Sequence, residues 1–342
     1  MSTAAHLSGA AYWLPLIAAA VVVAAIALYV ILDGFDLGVG ILFPLHPREA
    51  DRDQMMNSIA PFWDGNETWL ILGGNGLFVA FPAAYALIMP ALYVPLILML
   101  LALVFRGVAF EFRWVAKPAH HWWDWSFAGG SLAAALAQGA MLAALIQGIR
   151  IDHGRFAGGP LDWATPFALL CAVSLAVGYA LLGACWLAMK TAGGAERVRA
   201  QGHALLIALL ACIALVSVWT PLAIPRIAHR WLDWPNLLYL APVPLATGLL
   251  ALGCWHGISR ARGSLAFYSA TGLFLTAFAG LLISNLPYLV PPTLTLWQAA
   301  AAPKSQGFLL AGTALLLPFI LGYTVFVYRT FRGKVRAGEG YH

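Results

Sequence analysis

Long apolar runs separated by short polar connections dominate the pattern along this chain. A helix needs about 20 predominantly apolar residues to cross the hydrocarbon core of a bilayer, and nine windows reach that length. They are residues 11–32, 67–89, 91–112, 126–148, 165–189, 204–225, 236–258, 265–289 and 307–328. The window 67–89 is the least regular, because the stretch LGGNGLF interrupts it. The pattern predicts an all-α, polytopic integral membrane protein with about nine transmembrane helices.

Composition strengthens this prediction. The 342 residues are 62% hydrophobic and 10% charged, with a mean hydropathy of +0.81, whereas a soluble domain carries roughly 25% charged residues. So few charges cannot cover a water-facing surface of this size. The formal net charge of +5 reflects the loops of a membrane protein and does not indicate a nucleic-acid partner. No extramembrane domain stands out, so residues 1–342 are predicted to form a single transmembrane helical domain.

The distribution of lysine and arginine predicts the orientation in the membrane. With nine spans, one side carries Arg48, Arg52, Arg106, Arg113, Lys117, Lys190, Arg197, Arg199, Arg260, Arg262, Arg329, Arg332, Lys334 and Arg336. The other side carries Arg150, Arg155, Arg226, Arg230 and Lys304. Cytoplasmic loops are enriched in these residues, so the N-terminus is expected outside and the C-terminus in the cytoplasm. No basic residue precedes the first run, which favours a retained first helix over a signal peptide.

Three polar clusters near span ends are the candidates for function. A charge inside the membrane costs at least about 2.5–3.5 kcal/mol, so such residues are functional candidates by default. The clusters lie in YVILDGFDLGVG, APFWDGNETW and FRGVAFEFR, and all three fall on the predicted cytoplasmic side. Their polar residues are Asp33 and Asp36, then Asp64, Asn66 and Glu67, then Arg106, Glu111 and Arg113.

Two interpretations of these acids remain open from the residues alone. Residues three apart share a helix face, so Asp33 with Asp36, and Asp64 with Glu67, each put two carboxyl groups together. Such pairs can take up and release protons near neutral pH, which predicts a proton-entry route with Arg106 as the counter-charge. Alternatively, the acids cap helix N-termini and pair with loop arginines.

The histidines and cysteines do not indicate a metal or haem site in this chain. A membrane redox protein can ligate haem iron with histidine, but no histidine falls in the middle of a predicted span. The nine histidines are His6, His46, His120, His121, His153, His203, His229, His256 and His342. The four cysteines lie in apolar runs without a CxxC pair, as small buried hydrophobic residues do. No haem ligand, other metal ligand or catalytic residue is assigned.

Several long motifs, taken in order, resemble subunit II of the cytochrome bd quinol oxidases. They are DGFDLGVGILFP, NSIAPFWDGNETWLILGGNGLFVAFPAAYA, FRGVAFEFR and PYLVPPTLTLWQAAAAPKSQGFLL. The blocks cover residue 33 to about 113 and about 287 to 310, and the nine spans extend the likeness to nearly the whole chain. The short length and the GNETW stretch are similar to the cyanide-insensitive branch of the family.

The resemblance implies a heterodimeric respiratory complex of the bacterial cytoplasmic membrane. Such oxidases pass electrons from quinol to oxygen, make water and help to generate a proton gradient. The partner, subunit I, is expected to carry haem b and haem d, or b-type haems only, while this chain ligates none. A small accessory subunit and a structural quinone or lipid are further expectations, without assigned residues.

The resemblance also ranks the acids. The first aspartate of DGFD and the aspartate of WDGN, here Asp33 and Asp64, are implicated in the family's cytoplasmic proton path, and Arg106 occupies the position of a charged partner. Asp36, Glu67 and Glu111 are secondary candidates for the same path, with capping or pairing as the alternative. Two other functions are considered: a purely structural assembly subunit without a proton role, and a proton-coupled secondary transporter, whose charges would lie near the midplane.

Overall fold

Long antiparallel helices make up most of the chain. The computed structural model describes residues 9–116, 119–191 and 194–335, so His6, His342, Lys117 and Arg336 lie outside the described residues. Within that part, eight helices are long and apolar enough to cross a membrane. They span Ala10–Leu45, Tyr93–Val115, His120–Gln147, Pro166–Lys190, Gln201–Ala223, Asn236–Ser259, Gly263–Asn285 and Pro303–Thr330. The all-α, multi-pass membrane fold is therefore confirmed.

The individual elements run as follows. The helices are α1 Ala10–Leu42, α2 Glu49–Ile59, α3 Trp63–Ala80, α4 Pro82–Ala91, α5 Tyr93–Val115, α6 His120–Gln147, α7 Pro166–Lys190, α8 Gly194–Ala223, α9 Pro225–Leu232, α10 Asn236–Leu240, α11 Pro242–Ser259, α12 Gly263–Asn285, α13 Leu296–Ala299 and α14 Pro303–Thr330. The strands are β1 Ile151–Asp152, β2 Arg155–Phe156, β3 Tyr288–Val290 and β4 Leu294–Thr295. They form two short antiparallel hairpins, β1 with β2 and β3 with β4.

The predicted span 67–89 is a broken helix rather than one continuous segment. Helix α3 ends at Ala80 and α4 begins at Pro82, with Phe81 between them at φ −136° and ψ 58°. Proline has no N–H and cannot continue the hydrogen-bond ladder. The carbonyl of Ala80, at the end of α3, accepts from the backbone N–H of Ala301 at 2.8 Å and from Gln306 Nε2 at 3.2 Å. The irregularity therefore arises from Phe81–Pro82, while LGGNGLF is helical throughout.

Glycines let the central helices approach α1 closely. A Cβ at Gly38 would collide with the backbone of Tyr179 and Gly183 in α7, and one at Gly34 would lie 2.6 Å from the Tyr179 ring. Likewise, a Cβ at Gly130 in α6 would lie 2.6 Å from the Ala102 carbonyl in α5. Small residues at helix interfaces permit such approach in membranes, so α1, α5, α6 and α7 pack as one unit.

An aromatic and cationic layer closes one end of the bundle. Trp186 stacks on Phe35 with ring centroids 4.1 Å apart, and Lys190 Nζ lies 5.2 Å from the centroid of Trp186. The same Nζ donates to the carbonyl of Phe331 at 2.6 Å. The segment after α14 is further held by the backbone N–H of Val335, which donates to the Lys190 carbonyl at 2.8 Å. The last described residues of the chain are thus held beside α7 by hydrogen bonds.

We expect Gly38→Ala to lower the stability of the protein by about 1–3 kcal/mol, the usual cost of overpacking a well-packed interior. The added methyl group would meet backbone atoms of α7, which cannot rotate away. The thermal unfolding midpoint of the detergent-solubilised protein measures the effect. Gly312→Ala is the matched control, because a Cβ there meets nothing within 4 Å. Equal midpoints for the two variants would refute the packing argument.

Candidate functional site

A fully buried ion pair joins α1 to α5. Arg106 Nη1 lies 2.8 Å from Asp33 Oδ1, and both side chains are 0% exposed. The same nitrogen lies 3.8 Å from Glu67 Oε2 on α3, whose side chain is 29% exposed. Three helices thus bring one guanidinium and two carboxyl groups together. Glu67 is the member of this group that reaches the surface of the described chain.

A second carboxyl group lies one turn further along α1. Asp36 is buried, and its Oδ2 accepts a hydrogen bond from Asn66 Nδ2 at 2.7 Å. Asn66 Nδ2 also lies 3.2 Å from the carbonyl of Leu32, and Asn66 Oδ1 accepts from the Tyr328 hydroxyl at 3.0 Å. Asn66 therefore links α1, α3 and α14 beside the ion pair. Asp33, Asp36, Glu67 and Arg106 are called the carboxylate–arginine cluster below.

The cluster is short of hydrogen bonds for its burial. Within the described residues, both Asp33 oxygens and the three guanidinium nitrogens of Arg106 lack a partner with hydrogen-bond geometry, so the 2.8 Å contact is an ion pair without that directionality. Burying an ion costs several kcal/mol even after relaxation. Charged groups inside membranes are accordingly rare and mark ion or proton pathways. The cluster is thus a candidate functional site rather than a stabilising feature.

A second charged network holds the same face of α5, two helical turns after Arg106. Arg113 Nε donates to Asp124 Oδ1 at 2.6 Å, and its Nη1 donates to Asp53 Oδ1 at 2.5 Å. Arg52 Nη1 donates to the other Asp124 oxygen at 2.7 Å. These four residues, the Arg113 network, connect α2, α5 and α6. The ion pairs that Asp53 and Asp124 form with these arginines were not predicted, because no short-range signal in the sequence links the acids to the arginines.

Two candidate acids lie apart from the cluster. Asp64, in the first turn of α3, and Glu111, near the end of α5, are both exposed in the described chain. Helix α3 buries Asn66, Trp69, Gly73 and Gly76, so this face turns Asp64 outward and leaves Glu67 at the edge. The helical spacing of these buried residues is the sequence signal that distinguishes the exposed Asp64 from Glu67. The proposed roles of Asp64 and Glu111 remain predictions.

A row of hydrogen-bonded polar side chains next to Asp33 was also not predicted from the sequence. Gln138 Nε2 on α6 donates to the Tyr29 hydroxyl on α1 at 2.7 Å, and the Tyr179 hydroxyl on α7 donates to Gln138 Oε1 at 2.8 Å. Tyr29 precedes Asp33 by one helical turn, so the two residues share a face of α1. Each residue lies in an apolar run, where sequence pattern predicts packing alone. We call these three residues the Tyr29 chain.

Metal-binding groups are sparse in the part of the chain that the structure describes. No set of three or more histidine, cysteine, aspartate or glutamate side chains there could hold a metal ion. Two histidines have local partners: His46 Nδ1 lies 3.1 Å from the Leu42 carbonyl, and His203 Nε2 lies 3.0 Å from Ser259 Oγ. The absence of a haem ligand in this chain remains a prediction.

The fold and the cluster define a class: a multi-pass membrane protein with a buried, charged site between its helices. Comparisons with known proteins then narrow this class. The family model described as cytochrome bd terminal oxidase subunit II matches residues 14–331. The chain belongs to the cytochrome bd terminal oxidase subunit II family and is therefore a component of an oxidoreductase complex.

Individual relatives agree with this assignment over most of their length. The chain is 31% identical over 353 aligned residues to cytochrome bd-I ubiquinol oxidase subunit 2 of Escherichia coli, covering 90% of this chain and 91% of that protein. It is 29% identical to cytochrome bd ubiquinol oxidase subunit 2 of Bacillus subtilis, with 90% and 93% covered. A chain of the bd oxidase structure from Geobacillus thermodenitrificans shares the fold, with a TM-score of 0.73 at 18% identity, covering 94% of this chain and 99% of that one.

We expect Arg106→Leu to destabilise the protein by about 3–5 kcal/mol, because it leaves Asp33 buried without its counter-ion. The double variant Asp33→Asn with Arg106→Leu should be more stable than Arg106→Leu alone, since no uncompensated charge remains at the pair. Thermal unfolding of the wild type, both single variants and the double variant in detergent tests this coupling. Strictly additive losses would show that the two groups do not depend on each other.

Proposed function

We propose that this chain is the haem-free subunit II of a quinol:oxygen oxidoreductase, and that its carboxylate–arginine cluster forms part of a cytoplasmic proton route toward the oxygen-reducing site. The complex would oxidise quinol, reduce oxygen to water and contribute to a proton gradient. The observation that carries the proposal is the burial of Asp33 against Arg106 with two further carboxyl groups beside it. The chain by itself supplies no catalytic residue in this proposal.

The charge balance of the cluster favours a role in proton transfer. Three carboxyl groups, on Asp33, Asp36 and Glu67, surround one guanidinium, on Arg106. Carboxylates this close in a site of low dielectric cannot all be ionised without further cations. The surplus carboxyl groups would therefore hold exchangeable protons. A site that exchanges protons among buried side chains inside a helical bundle is what a proton route requires.

The arrangement also gives the route a direction. Asp33 and Arg106 are fully buried, Glu67 is partly exposed, and Asp64 lies on the surface one turn before Glu67. Protons would thus pass between the surface of α3 and the buried pair through Glu67. The sequence assigns most of the lysines and arginines to the side of the membrane on which these acids are predicted, which supports a cytoplasmic placement of the cluster.

The outward face of α3 supports packing against a second membrane protein. Exposed residues at helical spacing form a stripe along it, consisting of Asp64, Thr68, Ile71, Asn75 and Phe78. A lipid-facing helix would not expose an aspartate and a mid-helix asparagine, whereas polar and small residues are common where membrane helices meet. In this proposal the α3 stripe contacts subunit I, which would carry the haem groups, b and d or b-type only. Quinol, lipid and a small accessory subunit would associate with the assembled complex.

Replacing Asp33 tests the proton route. We expect Asp33→Asn to slow quinol-driven oxygen uptake by at least about a hundredfold per complex, the lower end of the effect of a proton-transferring group. Asp152→Asn is the matched control, since Asp152 lies in the β1–β2 hairpin at the other end of the bundle. Oxygen uptake and proton uptake are measured on the intact complex and normalised to its haem content from the visible spectrum.

Two results would contradict the proton route. Wild-type turnover and proton uptake in Asp33→Asn would show that Asp33 carries no proton. A lower yield of complex with unchanged turnover per haem would instead favour the assembly function, in which the acids serve only as structural partners. Solute uptake by vesicles that contain this chain alone would indicate the transporter.

Enlarging the α3 stripe tests the contact with subunit I. We expect Asn75→Trp to reduce the co-purification of the larger subunit, because a bulky side chain would separate the two helical surfaces. Leu249→Trp is the control, since Leu249 is 71% exposed on α11, away from this stripe. The ratio of the two subunits after purification through a tag on this chain gives the result. An unchanged ratio in Asn75→Trp would place the interface elsewhere.

A further inference from the structure

We propose that the Tyr29 chain is a polarised row of hydrogen-bond donors that ends on the Asp33 carboxylate and positions it against Arg106. Tyr29, Gln138 and Tyr179 are positioning residues in this proposal, acting through Asp33. The inference rests on the proposed function, because it assigns a task to groups that support the proton-carrying carboxylate. It adds two further helices, α6 and α7, to those that control Asp33.

The first step is the match between unused donors and unused acceptors. The Tyr29 hydroxyl oxygen accepts from Gln138 Nε2 at 2.7 Å, so its own hydrogen is still available to be donated. Both oxygens of Asp33, one turn further along α1, lack a hydrogen-bond donor among the described residues. A buried carboxylate needs such donors. Tyr29 and Asp33 lie four residues apart on α1 and share a helix face, so a hydrogen bond from the Tyr29 hydroxyl to this carboxyl group would satisfy both requirements.

The second step is the polarity of the chain. The Tyr179 hydroxyl donates to Gln138 Oε1 at 2.8 Å, which turns the amide NH₂ of Gln138 toward Tyr29. Every hydrogen in the chain then points toward Asp33. The opposite amide orientation would direct the hydrogens away and leave the carboxylate oxygens with Arg106 alone. Successive hydrogen bonds in a low-dielectric interior polarise one another, so the chain strengthens the donor that meets Asp33.

The third step is the room that α1 makes for the chain. Gly34, which directly follows Asp33, lies against the Tyr179 ring, and any Cβ there would come within 2.6 Å of it. Tyr29 and Tyr179 are 3% and 0% exposed, so bulk water does not compete for their hydroxyls. Gly34, the glycine of the DGFD motif, thus leaves space for the Tyr179 ring of the Tyr29 chain, in addition to permitting helix packing.

Tyr29, rather than the other polar groups around Asp33, is the hydrogen-bond donor to its carboxylate in this proposal. Arg106 supplies charge from α5, while Asp36 on α1 and Glu67 on α3 repel a negative Asp33. Tyr328 on α14 donates to Asn66 and not to Asp33. Tyr29 is the neutral donor on the same helix as Asp33, and its position is fixed by Gln138. Loss of this donor should therefore change how Asp33 is held without changing the charge of the site.

The test uses Tyr29→Phe and Gln138→Met in the intact complex. Both substitutions remove polar atoms at nearly constant volume. We expect Tyr29→Phe to slow quinol-driven oxygen uptake per haem by about three- to tenfold, the factor that corresponds to one lost hydrogen bond. Gln138→Met should have a smaller effect, because the Tyr29 donor remains. Tyr268→Phe is the control, since Tyr268 is 67% exposed on α12.

Infrared difference spectroscopy supplies a readout that a merely structural role would not change. The bands of Asp33 are first identified as those lost in Asp33→Asn. They should then shift in Tyr29→Phe, shift less in Gln138→Met and stay in place in Tyr268→Phe. In the double variant Asp33→Asn with Tyr29→Phe, oxygen uptake should be no slower than in Asp33→Asn alone, because Tyr29 acts through Asp33.

The outcomes separate this inference from the proposed function. If Asp33→Asn retains full turnover, the proton route fails and the Tyr29 chain has no functional carboxylate to position. If Asp33→Asn is slow while Tyr29→Phe shows wild-type turnover and unshifted Asp33 bands, the route stands and the inference is wrong. An additive loss in the double variant would also overturn it, because Tyr29 would then act independently of Asp33.

Discussion

The burial of Arg106 against Asp33 is the constraint on which the rest of this structure depends. The two side chains are 0% exposed and 2.8 Å apart, in a region where each desolvated ion costs several kcal/mol. Such a pair persists only if the surrounding helices hold both groups at contact distance. The positions of α1, α5 and their neighbours can therefore be understood as the conditions that make this one contact possible.

Two features fix the rotation of α5 about its own axis, so that Arg106 faces Asp33. Arg113 lies two turns after Arg106, hence on the same face, and it is anchored to Asp53 and Asp124 by hydrogen bonds of 2.5 and 2.6 Å. Gly130 lets α6 lie directly against α5 at Arg106, where a Cβ would come within 3.1 Å of the backbone nitrogen. The Arg113 network and the small residues thus turn Arg106 inward, while the apolar face of α5 remains outside.

The sequence predicts those features that depend on composition and short spacing. The lengths of the apolar runs define the long helices, and the D-G-F-D motif identifies acids together with glycines that permit close packing. The Arg113 network and the Tyr29 chain could not be predicted, because they join residues 11 to 109 positions apart through helix rotation alone. A hydrophilic side chain within an apolar run, such as Gln138, signals only that some partner exists.

The rotation of α3 shows how one helix can serve two polar surfaces in a membrane. Its inner face presents Asn66 to Asp36 and packs Trp69, Gly73 and Gly76 into the bundle, while its outer face exposes Asp64 and Asn75. A helix with polar groups on opposite sides cannot face lipid on either side without a large penalty. Glu67 lies at the edge between these faces, 3.8 Å from Arg106. Covering the outer face with a second membrane protein would therefore remove the penalty and, by the same contact, enclose the exposed end of the cluster.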